Sequence, residues 1–518
     1  MLYALKFPDQ TVDWIMQCVA STSYSISLNG AQFGYFKGRR GLTQGDPMSP
    51  LLFTLCLEYL TRIINVVTKR SDFKFHPLCR AMGLCNLAFA DDLLLFCKGD
   101  KSSVKVLMRA LHTFSEASGL TMNHEKSEIY MNGVSPLKAE VILQLSGFQM
   151  GHFPFKYLGI SISYKKLSNA ECNILVDRIL ARIRSWGAKK LSYAGRLVLV
   201  RTVLSQLHSY WARIFLLPMG VISRVNAVCR NYLWSGKDDY HKVPAVAWDA
   251  CCLPKDRGGL CILQCQLWNI AVIGKYFWWI VQKKDNLWVK WVHHIYMKQA
   301  EWWSYHPSVN SSWTWRQICK VRELLCSGFS LNGWMNAAYS THAVYMWLIR
   351  EHATVTWVPL VWNRLCLPKV SFIYWLYVLH RLMTKDRLLR YGVVNSDLCD
   401  LCGSAQETHS HLFFDCGYSQ RCLGLLNQWL DIDWTGEFST WIISWRCRSL
   451  LRKKVIMAAV ATLIYSIWQN RNTARHEGLV QHPTAVLRWI KSTLKGRFMQ
   501  AKGSTRLNSS WIDRLALV

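Results

Sequence analysis

The chain has 518 residues, of which 51% are hydrophobic, enough for extensive cores and against wholesale disorder. Its 62 Lys and Arg against 32 Asp and Glu leave a formal net charge of +30, which favours a polyanionic partner, either nucleic acid or an acidic membrane surface. The 19 Cys follow no regular framework, so the expectation is a reducing compartment with most thiols as small buried hydrophobes, not a secreted disulfide scaffold.

Met1 to Gln10 has neither the basic start nor the apolar run of a secretion signal, and the expected location is intracellular, in nucleus or cytoplasm. Asp9 and Asp13 are the first acids and read as a turn residue and a helix N-terminal acid. Arg39, Arg40 and Gly41 open a basic glycine-bearing loop that continues through Gln44 and Gly45. It feeds a predicted helix running through Leu51 to Ile64. Asp46 with Pro47 behind it, or Ser49 with Pro50 behind it, suits the N-cap. Such a loop lets backbone approach a nucleotide or a template strand.

Cys85 to Ala90 is apolar, Asp91 and Asp92 follow, and Leu93 to Phe96 is apolar again. The pattern predicts a β-hairpin with an acidic tip, buried on both faces. Adjacent carboxylates repel each other and are costly to desolvate. A divalent cation such as Mg²⁺ removes that cost, and two-metal phosphoryl transfer uses hard oxygen ligands on a rigid element. Alone, an Asp-Asp pair between strands is ordinarily a surface turn.

Between Ala181 and Ile214, residues Leu197, Val200, Leu204, Leu207, Trp211 and Ile214 recur at spacings of three and four, which predicts a helix. The same stretch holds seven basic residues and no acid, so one face can pack while another meets phosphates. A solvated charged face is the plainer alternative. The Trp-rich region at 300–360 is assigned to core.

Cys399, Cys402, His411 and Cys416 give C-x₂-C-x₈-H-x₄-C, a donor set suited to a closed, tetrahedral, structural Zn²⁺ site. His409 is an alternative ligand. Val455 to Trp468 is apolar but too short to span a bilayer, and is predicted to be a buried or amphipathic helix, with no membrane partner. Arg446 to Arg514 holds fourteen Lys and Arg against two acids, +12 of the +30. That stretch suits a counterion-releasing nucleic-acid surface or a merely soluble tail.

Taken in order, SISLNGAQFGYFKGRRGLTQGDPMSPLLF, FADD, SGLTMNHEKSEIYMNGV and FPFKYLGISISYKKL resemble the palm motifs of plant LINE-type (non-LTR) retrotransposon reverse transcriptases. FADD alone is a weak match, but four motifs in order are specific. Downstream, LSYAGRLVLVRTVL and VAWDACCLPKDRGGLCI resemble the thumb and post-thumb region of the plant elements. The resemblance implies an α+β fold. A partial polymerase palm of antiparallel sheet and helices would occupy 1–165, and a helical thumb and post-thumb region 166–300. A Trp-rich segment and zinc-binding domain (340–430 for the latter) would occupy 301–430, and a basic helical tail 431–518.

The resemblance also implies residue roles. Asp91 and Asp92 would be the catalytic, Mg²⁺-binding carboxylates; Arg40, Gln44, Gly45 and Lys126 would lie at the nucleotide and template site. Tyr157, Leu158 and Gly159 would form the primer grip, and His411, the histidine before Leu-Phe, would ligate Zn²⁺. RNA template and DNA primer would be the partners. The family has a further catalytic aspartate upstream, in a strand resembling Lys-Ala-Tyr-Asp-Ser-Val, and Met1 resembles sequence just after it. The expectation is therefore a truncated enzyme with very low or no polymerase activity alone. The alternatives are a non-catalytic RNA- or DNA-binding remnant and a pseudogene product with an aggregation-prone sheet edge.

Overall fold

A computed structural model describes residues 2–38, 41–163, 166, 168–186, 191–237, 243–331, 338–349, 352–432, 434 and 450–501. They form two compact units: Met1–Lys165 with Trp279–Trp313, and Lys166–Trp278 with Thr314–Val518. The fold is α+β, with short strand pairs in the first unit and helices throughout the second.

The first unit runs α1 (Asp9–Ala20), β1 (Ser23–Leu28), β2 (Ala31–Lys37), α2 (Ser49–Val67), β3 (Asn86–Phe89), β4 (Asp92–Leu95), α3 (Lys101–Ser118), β5 (Glu128–Ile129), α4 (Pro136–Ser146), β6 (Gln149–Met150), β7 (Phe155–Tyr157) and β8 (Ile160–Ile162). Three antiparallel ribbons, β1–β2, β3–β4 and β7–β8, accompany one short parallel pair, β5–β6.

Helix α3 is bounded by local chemistry. The Asp100 carboxylate accepts from Ser103 N–H at 2.9 Å, and Gly119 closes the helix at φ 72°. Its apolar stripe of Leu107, Ala110, Leu111 and Phe114 packs with Leu60 and Ile64 of α2, with Phe73 and with Cys85. Each such Leu or Phe, fully buried, stabilises by about 1.5–3 kcal/mol.

The β3–β4 ribbon lays Leu93 and Leu95 against this cluster. Its other face is uncovered, with Leu87 37% and Phe89 59% exposed. The expected burial of both faces is therefore corrected. Strand alternation sends one set of side chains to α2 and α3 and the other set outward.

Neither expected cap on α2 forms. Asp46 Oδ1 accepts from Met48 N–H at 2.9 Å, and the Ser49 hydroxyl donates to the Thr43 carbonyl at 2.7 Å. The chain is already in a right-handed turn at Met48 (φ −80°, ψ −26°), so the extended geometry of a side-chain cap is not reached. Both side chains instead tie the preceding loop to the helix. Much of α2 beyond Leu60 and Ile64 stays uncovered, with Leu51 and Val66 69% and 67% exposed. By length and composition alone this helix could cross a membrane.

In the second unit, Ser168 and Glu171 form a reciprocal capping box on α5 (Asn169–Ser185), which packs on α8 (Met219–Ser235). The helix expected across Ala181–Ile214 is not one regular element. Helix α5 ends at Ser185; α6 (Tyr193–Leu199), a π-helical turn at Val200–Leu204 and α7 (Ser205–Ala212) follow. The π turn adds a residue to the repeat, so the spacing of three and four holds only in part past it: Trp211 is buried as expected. Leu207 is only half-buried and Ile214 is exposed, while His208 and Ser209 are buried. Arg182, Arg184, Arg201 and Arg213 all lie on the exposed side.

The helix Leu450–Glu477 is enclosed by helices Pro368–Val378, Gly417–Leu430 and Pro483–Ala501. Residues Val455 to Ile464 are buried without exception, as expected of an apolar core helix. Of the Trp-rich region, Trp302 and Trp315 are buried, whereas Trp303 is 39% exposed.

Candidate carboxylate and metal sites

The β3–β4 ribbon ends in a two-residue turn. Phe89 pairs with Asp92, leaving Ala90 and Asp91 as the loop. Ala90 sits at φ 50°, a left-handed conformation that costs an alanine roughly 1–2 kcal/mol. Strain of this kind at a tip is a recurrent mark of functional sites. Asp91 and Asp92 are both exposed, and Asp92 shares the uncovered face of the ribbon with Phe89. Two adjacent hard-oxygen donors on a fixed tip suit Mg²⁺ as ligands.

A second antiparallel ribbon is β7–β8. Tyr157 ends β7, and its hydroxyl is pushed above the ordinary phenol range by burial and by the Asp92 carboxylate near it. Leu158 and Gly159 form the two-residue turn to β8 at φ 49° and 76°, as a type I′ turn requires. Glycine adopts this freely; leucine does not.

The other predicted nucleotide-site residues lie on other loops. Gln44 and Gly45 are exposed in the loop before α2, and Gly45 has φ 97° with open space where a Cβ would be. The loop is tethered to β1 by the Tyr24 and Thr43 hydroxyls, 3.0 Å apart. Lys126 is exposed, and its backbone is held by Asn123 Oδ1, which accepts the N–H groups of Glu125 and Lys126. No hydrogen bond or ion pair among the described residues joins Gln44, Gly45 or Lys126 to the carboxylates. Arg40 lies outside the described residues. Asp9 and Asp13 are exposed on α1, not on a strand.

In the second unit, Cys399, Cys402, His411 and Cys416 converge with their ligand atoms all within 4.8 Å of one another. Cys399 Sγ and Cys416 Sγ are 4.0 Å apart, and Cys402 Sγ is 3.3 Å from His411 Nε2. A tetrahedral site with Zn–S of about 2.3 Å has sulfur–sulfur edges of about 3.8 Å, so the donor set fits Zn²⁺. Cys399 and Cys402 sit on a tight loop closed by Gly403 at φ 68°, whose N–H reaches the Cys399 carbonyl at 2.8 Å. His411 opens a π-helical turn, and Cys416 caps the helix Gly417–Leu430.

The Cys399 thiol donates to Cys416 and lowers its pKa to about 5, helped by the Ser419 and Tyr418 N–H groups of that helix. The same contact pushes Cys399 up. Zn²⁺ takes cysteine as the thiolate, and Cys416 is placed to supply one. His409 is not part of this set. Its Nε2 is 3.2 Å from the Tyr377 carbonyl, and its ring lies against Tyr377, His380 and Phe413.

Sequence reasoning missed what holds this loop in place. The buried Glu407 carboxylate meets the Arg471 guanidinium, with Nε at 2.9 and 3.1 Å from its two oxygens. Glu407 Oε1 also accepts from Lys385 N–H at 2.9 Å, while Arg471 donates to the Met383 carbonyl at 3.2 Å. Lys385 Nζ bonds the Leu398 carbonyl at 2.8 Å and pairs with Asp400. Arg471 was counted among the solvent-facing charges of the basic tail; it is 2% exposed. The only hint in the sequence is its place in an apolar helix.

Residues 1–162 match the family model described as reverse transcriptase (RNA-dependent DNA polymerase), and residues 339–422 match the model described as zinc-binding in reverse transcriptase. A putative ribonuclease H protein of Arabidopsis thaliana is 30% identical over 176 residues, which is 33% of this chain and 28% of that protein. The Pol polyprotein of the type-1 retrotransposable element R2 of Popillia japonica is 30% identical over 168 residues, 31% of this chain and 27% of the relative. The Pol polyprotein of the type-2 element R2DM of Drosophila melanogaster is 25% identical over 250 residues, 45% and 22%. The matches thus span about a quarter of these relatives' own lengths. With the acidic hairpin tip inside one match and the Cys₃His cluster inside the other, the chain carries a reverse transcriptase domain followed by a reverse-transcriptase zinc-binding domain, and is similar to retrotransposon polyproteins.

Proposed function

We propose that the chain is the palm, thumb and zinc-binding portion of the RNA-directed DNA polymerase of a plant LINE-type (non-LTR) retrotransposon, working in the nucleus or cytoplasm on an RNA template and a DNA primer. The observation that carries this reading is the Asp91–Asp92 tip, built on a strained two-residue turn inside the stretch that matches the reverse transcriptase family. Asp91 and Asp92 would hold Mg²⁺, which in such sites neutralises charge on the reacting phosphates. Gln44, Gly45, Lys126 and Arg40 would line the nucleotide and template side, and Tyr157, Leu158 and Gly159 would grip the primer. The Zn²⁺ site would be structural.

On its own the chain has very low activity. Among the described residues, the one cluster of three or more metal-capable side chains is the Cys₃His set, and none of those residues forms such a cluster with the Asp pair. Two carboxylates alone hold a single Mg²⁺ weakly. The uncovered apolar surface of α2 and of β2, where Tyr35 is 82% exposed, suits contact with a further part of a polymerase.

Primer extension with the purified chain, an RNA template, an annealed DNA primer and Mg²⁺ tests this. Extension near background is expected. Robust extension abolished by Asp91→Ala overturns the inactivity, and failure to bind the template–primer overturns the polymerase reading itself. A second reading, a non-catalytic nucleic-acid-binding remnant, is favoured by the exposed arginine face of α5 to α7. Binding with a steep salt slope and no extension under any complementation supports it.

A further inference from the structure

The second unit contains an aromatic cleft of about 340 Å³ between α6, the helix Pro368–Val378 and the helix Leu450–Glu477. Neither the acidic tip nor the zinc cluster contributes to it. Its size falls within the range of about 300–1,000 Å³ typical of small-ligand sites.

Its walls are flat rings. Tyr193 stacks on Phe372 with centroids 5.4 Å apart and planes at 10°, and Tyr193 remains 38% exposed. Across the cleft stand Tyr465 and Trp468 of the long helix. Gln469, Asn472 and Thr473 share that face of the helix and supply amide and hydroxyl groups. At the mouth, Lys369 Nζ lies 5.4 Å from the Tyr465 ring centroid and 5.7 Å from that of Trp489. Lys369 forms no ion pair among the described residues; two rings hold the ammonium where an acid ordinarily would.

Packing alone does not require this arrangement. Phe372 is buried beneath Tyr193, but a core would also close over Tyr193, Tyr465 and Trp468, and a purely apolar ligand would have no use for the amide rim or the lysine. A flat heteroaromatic ring with hydrogen-bonding edges and an adjoining anion satisfies all three features. Resting on the nucleic-acid reading above, we infer that this cleft takes an unpaired base of a single-stranded nucleic acid, with Lys369 on the neighbouring phosphate. Stacking between a base and an aromatic side chain is worth roughly 1–3 kcal/mol and tolerates any sequence. A paired base cannot enter, because its edges and faces are already occupied within the duplex.

Equilibrium binding of the full chain to a short fluorescent single-stranded RNA tests the inference. The comparison strands are the same sequence in DNA, an abasic version of it and a blunt duplex. The intact strands should bind about tenfold or more tighter than the abasic strand, as one stacked base predicts. Trp468→Ala should weaken the intact strand to the abasic level and leave the abasic strand unchanged. Trp468→Phe should retain most of the binding, which separates lost stacking from misfolding. The RNA-to-DNA ratio assigns the sugar.

Equal binding of intact and abasic strands to the wild type overturns the inference, and so does an equal loss on both strands in Trp468→Ala. Photocrosslinking of the wild type to a strand carrying 5-iodouracil needs no variant. Crosslinks at Tyr193, Tyr465 or Trp468 support the cleft, and crosslinks confined to other peptides overturn it. Displacement of the strand by free nucleoside monophosphate at matched concentration overturns it in favour of a mononucleotide site. Background extension is expected on the reading above, so the two fail separately: loss of template–primer binding overturns the polymerase reading, and loss of the difference between intact and abasic strands overturns the cleft.

Discussion

Arg471 and Glu407 meet inside the second unit with side chains 3% and 0% exposed, joining the zinc-binding loop to the helix Leu450–Glu477. Asp400 lies 3.9 Å from the same guanidinium, and Arg471 also covers one face of Trp468 at 5.0 Å. Charges this deep are tolerable only as a set, because each would be costly to desolvate alone.

Breaking the pair from one side should therefore be severe. Glu407→Ala is expected to cost about 3–5 kcal/mol, since it strands a buried guanidinium. Replacing both partners, as in Glu407→Leu with Arg471→Met, should cost distinctly less. Urea unfolding of the wild type, the two single variants and the double variant measures the difference.

Metal analysis of the purified chain should find one Zn²⁺ per chain. Cys416→Ser should lose it and fold poorly, because a structural zinc site contributes folding free energy outright. His409→Gln should keep it, since that ring faces Tyr377 and not the cluster. Loss of zinc in His409→Gln with retention in His411→Gln would reverse the ligand assignment.

His208 gives a pH dependence with a definite sign. Burial on α7 lowers its pKa from 6.5 to about 4, only partly offset by the Leu204 carbonyl. A group depressed in the folded state contributes stability that is full above its unfolded value and lost as pH falls through the folded one. Stability should thus fall between about pH 6.5 and 4, by about 3 kcal/mol from this group. The wild type minus His208→Gln, followed by denaturant melts across that window, isolates the contribution from the carboxylates. A constant difference would refute it.

Leu158 occupies a left-handed position at φ 49°, where Asn is far better suited. Leu158→Asn should stabilise the chain by about 1 kcal/mol through relief of that strain, read as a raised urea midpoint. If Leu158 touches the primer, the same variant binds template–primer more weakly despite its stability.

The convergence of the Cys₃His cluster and the acidic hairpin tip were legible in the sequence because both are local. Metal ligands must converge, so Cys399, Cys402, His411 and Cys416 lie within one short stretch. Asp91 and Asp92 follow an apolar strand that pairs directly with the apolar strand after them. The errors came from effects that no local pattern encodes. Burial of one ribbon face at Leu93 and Leu95 but not at Leu87 and Phe89 depends on which helices pack there. The π turn at Val200–Leu204 broke a periodicity that looked continuous. Arg471 read as a surface cation because its partner is 64 residues away. The cleft was missed for the same reason, being assembled from three distant helices.

That separation bears on how the protein is made. The zinc loop is complete once Cys416 has left the ribosome, but Glu407 has no counter-ion until Arg471 emerges. During that interval the nascent loop must keep its carboxylate in water, so zinc capture can precede docking but cannot seal it. A fragment cut at residue 422, where the sequence family ends, would stay in that unsealed condition permanently. The physical domain therefore extends past its sequence boundary to the helix that carries its counter-ion.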